Sequence, residues 1–126
     1  MARLEPAVEE HLLDLTTDLV LCLRAQYLAG GASALKHWDQ LAERLRAATR
    51  TSSTAEAWAT RLCRDLLVAV PSAQTSAAME ALVLATRRHG AVAWLALVER
   101  EWAYVMARAR RLAEERREER LAAKEA

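Results

Sequence analysis

The chain has 126 residues, 53% hydrophobic and 28% charged, with three glycines, two prolines and a net charge of +1 at pH 7. With 28 alanines, 20 leucines and 16 arginines, half the positions are strong helix formers, which excludes a sheet-rich fold and fits one helical domain. The longest unbroken apolar run, Ala91 to Val98, is far shorter than the roughly 20 residues that cross a bilayer. Acids at positions 5, 9, 10, 14 and 18 exclude a secretory leader, so a cytoplasmic location and no membrane contact are expected.

The first helix is predicted from about Pro6 to Ala29, where proline suits the first turn, Glu9 and Glu10 oppose the dipole and Gly30-Gly31 stops it. Val8, Leu12, Leu15, Leu19, Cys22 and Leu23 form its apolar stripe, leaving an acidic face in water. Ser33 is the expected N-cap of a second helix, with Leu35, Trp38, Leu41, Ala42 and Leu45 facing inward and an end near Arg50. Ser53 with Glu56 three positions on reads as a capping box opening a third helix. Its stripe is Ala55, Trp58, Ala59, Leu62, Leu66, Ala69 and Val70, and Pro71 ends it. Ser72 caps a fourth helix that stops at His89-Gly90, after a buried side of Ala78, Met79, Leu82, Val83 and Thr86. A fifth runs from about Ala91 beyond Arg111, with Val92, Leu95, Val98, Trp102, Val105 and Met106 buried. The expected architecture is an all-α bundle of about five mostly antiparallel helices over residues 1–111, followed by a charged helical tail, 112–126, whose stretch Arg116-Arg117-Glu118-Glu119-Arg120 is polar all round.

Charge is uneven along this framework: residues 1–43 carry −4, residues 44–111 carry +6 and residues 112–126 carry −1. A folded body with an acidic end and a basic middle is expected from it. Cys22 and Cys63, without a C-x-x-C pattern, read as reduced, buried small hydrophobes.

His11, Asp14 and Asp18 share one side of the first helix at spacings that suit a divalent metal, but no second helix supplies an E-x-x-H or H-E-x-x-H partner. A solvated acidic face is the simpler expectation. His37 is isolated beside Trp38, and His89 suits a helix C-terminus. No G-x-S-x-G and no glycine-rich phosphate loop occurs, so neither catalysis nor a cofactor is expected.

Two features point to binding. The pairs Arg46 and Arg50, Arg61 and Arg64, and Arg87 and Arg88 lie within one turn of each other, and guanidinium groups grip phosphate bidentately. Arginine richness that follows base composition, with arginines complementing helix C-termini, accounts for the same pattern without a ligand. A specific DNA reader is not expected, since the third helix opens Ala55-Glu56-Ala57-Trp58-Ala59 and offers little to base edges. Of the four tryptophans, Trp38, Trp58 and Trp102 fall in apolar stripes, whereas Trp94 flanks one and is expected half exposed, as a protein contact.

The segment Ala85-Thr86-Arg87-Arg88-His89-Gly90-Ala91-Val92-Ala93-Trp94-Leu95 resembles the small all-helical subunits of multisubunit CRISPR effector complexes. In those a helix ends in a polar residue and glycine, and the next opens with small residues before an aromatic-apolar pair. Chain length and helix count resemble them more loosely; the charged tail and the lack of a proline ahead of the matched helix depart from the pattern. The resemblance implies a non-catalytic, filament-forming subunit that contacts neighbouring proteins and the backbone of RNA or single-stranded DNA, with Arg87 and Arg88 inside the matched segment. A protein-only adaptor or inhibitor, of the small phage or plasmid kind, is the alternative, using Trp94 and the acidic first helix.

Overall fold

A computed structural model describes residues 4–29 and 35–125, which form helices α1 (Pro6–Leu28), α2 (Leu35–Thr51), α3 (Ala55–Asp65), α4 (Ala73–His89), α5 (Ala91–Arg100) and α6 (Trp102–Glu125), with no strand among the described residues. The expected stop at Gly30-Gly31, the cap at Ser33 and the side chain of Leu35 lie outside the described residues.

The central element is α1, which packs against α4, α5 and α6. Because neighbours surround it, more than one stripe is covered: Thr16, Thr17, Val20 and Leu21 are buried together with Leu12, Leu19 and Leu23. Gln26 meets Ser72 and Thr75 at the start of α4, so α4 runs back along α1. Against α6 the direction is parallel, because Glu9 pairs with Arg100 at the end of α5, just before α6 begins, and Asp14 with Arg108 within α6, both advancing together. On the other side of the core α2 packs on α3 and α5, and α3 on α4.

Local chemistry sets the boundaries. The Ser72 hydroxyl accepts from the Thr75 amide at 3.1 Å, as an N-cap should. Gly90 adopts φ 99°, a conformation that side chains disfavour, and the chain turns by 114° between α4 and α5 there. The α3 cap is Thr54, whose hydroxyl accepts from the Ala57 amide at 3.0 Å, one residue later than the Ser53 expected from sequence.

The end of α3 also differs. Instead of continuing to Val70, the helix closes at Asp65 in a Schellman arrangement: the Val68 amide donates to the Cys63 carbonyl at 2.8 Å and the Leu67 amide to that of Arg64 at 3.1 Å. Leu67 supplies the left-handed residue this closure needs, with φ 58°. Pro71 therefore follows the termination rather than causing it, and Ala69 and Val70, expected inside, are exposed.

The predicted fifth helix is two. At Glu101 (φ −102°, ψ 19°) the chain bends between α5 and α6. Trp94 and Trp102, on either side of the bend, would stand about 12 Å apart along a straight helix, yet both meet Trp58 edge-on, with ring centroids at 5.3 and 6.3 Å. No single described helix is long and apolar enough to cross a membrane. Burial along α6 ends at Leu112 and Ala113; residues 114–125 are exposed and helical. There Glu114, Glu115, Glu118, Glu119 and Glu125 take one side of the helix and Arg116, Arg117, Arg120 and Lys124 the other, so the charges of the tail are segregated by sign.

Candidate functional site

The six candidate arginines do not converge on one track. Arg50 Nε donates to Glu99 Oε1 at 2.5 Å, joining α2 to α5, and Arg87 Nη2 donates to Glu56 Oε1 at 2.5 Å, joining α4 to the start of α3. Arg61 Nη1 donates to the Thr51 hydroxyl at 2.5 Å, while Arg61 and Arg64 share Asp65 at 4.0 and 3.8 Å. Arg46 is half-buried, its Nε enclosed without an acceptor, and Arg88 is exposed with no ion pair among the described residues. Arg87 therefore sits at one end of α3 and Arg64 near the other, about 12 Å apart along the axis. Two acids distant in sequence, Glu99 and Glu56, and the neighbouring Asp65 dilute the basic field that local spacing suggested.

Trp94 requires a correction. It is 0% exposed, its Nε1 donates to the Thr16 hydroxyl at 2.9 Å, and that hydroxyl donates to the Leu12 carbonyl at 2.7 Å. The indole is thus held in the core by α1 and α3, and Val92, expected inside, is 72% exposed in its place. As it stands in the folded chain, Trp94 offers no surface to a partner.

The acidic face of α1 is partly covered rather than wholly wet. Glu9 accepts from Arg100 Nη2 at 2.9 Å and Asp14 from Arg108, so two acids of the negative segment meet arginines of the positive one. The hydrogen bond that Arg108 donates to Asp14 stabilises the Arg108 charge and raises its pKa, as those donated to Glu9 and Glu101 do for Arg100. A shallow groove of 340 Å³ runs between these helices, with Glu10, Glu101 and Tyr104 at its edge. His11 and Asp18 are exposed, and no group of three metal-ligating side chains occurs among the described residues.

Cys63 is buried and Cys22 half-buried, both as free thiols. Burial raises both thiols above the ordinary range, with the Asp18 charge adding to the effect at Cys22. The Asp18 charge outweighs that of Arg116 at Cys22, and burial alone acts at Cys63, so neither is set up as a reactive thiolate.

Sequence periodicity missed the most unusual surface. Leu67 is 88% and Val70 81% exposed, on the loop joining α3 to α4. Gln26 of α1 pins that loop, donating through Nε2 to the Val70 carbonyl at 3.3 Å while its Oε1 accepts from the Ser72 amide at 3.1 Å and the Thr75 hydroxyl at 2.6 Å. An open depression of 420 Å³ lies here, lined by Gln26, Tyr27 and Leu66 to Val70. The available signal was the Leu-Leu-Val-Ala-Val run ahead of Pro71, whose helical spacing suggested a buried stripe.

Comparison of the chain with protein families, curated proteins and solved structures gives no match.

Proposed function

We propose that the chain is a non-catalytic interaction subunit that binds a protein partner through the surface carrying Leu67 and Val70. The observation behind this reading is that both side chains are held in water on a loop fastened by Gln26. Burying apolar area on a partner yields about 25 cal/mol per Å², whereas in the free chain these side chains gain little from folding. Tagged protein recovered from its native host should bring down a protein that is lost with the Leu67→Ser/Val70→Ser double variant. A partner retained equally by the variant overturns this reading.

The ribonucleoprotein reading suggested by the CRISPR resemblance is a second proposal, and the exposure of Arg50, Arg64, Arg87 and Arg88 favours it. The ion pairs of Arg50, Arg64 and Arg87 are at the surface, where each is worth only about 0–1 kcal/mol, so phosphate can replace the carboxylates at small cost. The expected signature is sequence-insensitive binding to single-stranded RNA or DNA that falls steeply with salt and weakens on Arg61→Glu/Arg64→Glu. Binding insensitive both to salt and to that reversal eliminates it.

A further inference from the structure

The charges at the end of α6 are arranged against the stability of an isolated helix. Within residues 114–125 every charged pair four positions apart is of like sign: Glu114 with Glu118, Glu115 with Glu119, Arg116 with Arg120, and Arg120 with Lys124. Such pairs destabilise a solvated helix, whereas opposite signs at the same spacing would support it. Pairs three apart are evenly divided, since Glu114 with Arg117 and Arg116 with Glu119 oppose Glu115 with Glu118 and Arg117 with Arg120. What the arrangement achieves is sorting. At about 3.6 residues per turn, Arg110, Arg116, Arg117, Arg120 and Lys124 occupy about a third of the circumference, and the glutamates centre on the opposite side. Arg110, Arg117 and Lys124 recur every seven residues, a line of cations about 21 Å long.

These cations are also free. Arg50, Arg61, Arg64 and Arg87 of the body each have a carboxylate within 4.0 Å. Arg116, Arg117, Arg120 and Lys124 form no ion pair among the described residues, and Arg110, 3.4 Å from Glu114, alone ties the line to an acid. Glu115 and Glu118, in the middle of the acidic side, stand about 10–12 Å away across the helix, close to the Debye length at 0.1 M salt, so they weaken the basic face little. From this we propose that the exposed end of α6 lays its basic face along the phosphate backbone of a nucleic acid. The inference does not rest on the Leu67 surface, and it moves phosphate contact away from the body arginines of the second reading above.

The occupant is chosen by what the face lacks. Leu121 is the single large apolar side chain of residues 114–125, so a protein partner would find no cluster of apolar anchors and a lipid surface no apolar face to bury. A phosphate backbone needs neither, because its affinity comes from counterion release, and the four arginines of the face grip phosphate bidentately. Residues 114–125 are exposed throughout, so the face is reached without opening the body.

The test uses the full chain and a fluorescent single-stranded oligouridylate. Polarisation should show binding that falls with salt at a log–log slope of about −3, from about 0.7 for each of the four or five phosphates contacted. The decisive variant is Arg117→Glu/Glu118→Arg, which keeps net charge and composition and sets opposite charges at positions 114 and 118, but breaks the sorting. It should hold or raise helicity while weakening binding at least about five-fold at low salt and flattening the slope. Glu115→Gln/Glu118→Gln should stay within about two-fold of the parent at 0.1 M salt. Equal affinity of the exchanged variant and the parent, or no binding by the parent at low salt, overturns the proposal, as does binding to anionic lipid vesicles without binding to the oligonucleotide. Binding that survives the exchange but is lost with Arg61→Glu/Arg64→Glu overturns it and leaves the second reading standing.

Discussion

Leu67→Gly should make the protein more stable although it removes a leucine. The residue closes α3 at φ 58°, and relieving the Cβ clash there returns about 1–2 kcal/mol. Glycine is freer in the unfolded chain, which offsets about 0.5–1 kcal/mol. Little burial is lost, because the side chain is 88% exposed. The net expectation is a gain of about 0.5–1 kcal/mol. With an unfolding entropy of about 2.1 cal/mol/K per residue, that is a rise of roughly 2–4 °C in Tm. Leu67→Ala is the internal control, since it keeps the Cβ and therefore the strain, and should remain within about 0.5 kcal/mol of the parent. Urea and thermal unfolding followed by circular dichroism measure both variants. A glycine variant no more stable than the alanine variant would refute the strain assigned to this position.

Trp94→Ala should cost about 3–5 kcal/mol in urea unfolding, because it empties a fully enclosed site and removes the hydrogen bond to Thr16; a loss under 1 kcal/mol would mean the indole is not in the core. The raised thiols favour the folded state below the ordinary cysteine pKa of about 8.5. Stability should therefore decline as pH rises above that value through the folded pKa values, and alkylation at pH 8 should be slow at both cysteines, slower at Cys63. Ending the chain after Ala113 should change unfolding free energy by less than about 0.5 kcal/mol while lowering helical ellipticity, since residues 114–125 bury nothing; a larger destabilisation would show that the tail packs on the body. The Asp14→Ala and Arg108→Ala variants should show a coupling of about 0.5–1 kcal/mol in a double-mutant cycle that shrinks with added salt; a coupling of zero at low salt would remove the pair from the stabilising contacts.

The helical class and most helix ends were legible because they rest on local chemistry. Pro6, Ser72 and Gly90 each act within one turn of their own position. The end of α3 was not legible, since a Schellman closure through leucine carries no glycine to announce it. Trp94 was misplaced for a different reason. In the run from Ala91 to Val98 every residue is apolar, so periodicity cannot choose a face, and the choice is made by Thr16 and Trp58 on other helices. The basic patches suffered similarly: Arg50 and Glu99 are 49 residues apart and Arg87 and Glu56 are 31 apart, so neutralisation was invisible to local spacing. Ala69 and Val70 are expected in the core because their spacing continues the α3 stripe past the point where the helix stops.

The parallel pairing of α1 with α6 governs the order in which the molecule can be made. Glu9 and Arg100 are 91 residues apart and Asp14 and Arg108 are 94 apart, so one flank of α1 finds its cover only after residues 100–108 have left the ribosome. Until then α1 can pair with α4 but keeps that flank in water, an intermediate with exposed apolar surface. Closing so long a loop is entropically slow, and the protein should fold more slowly than bundles of similar size built from neighbouring helices. A nascent chain stalled before α6 should bind chaperones that the completed chain does not.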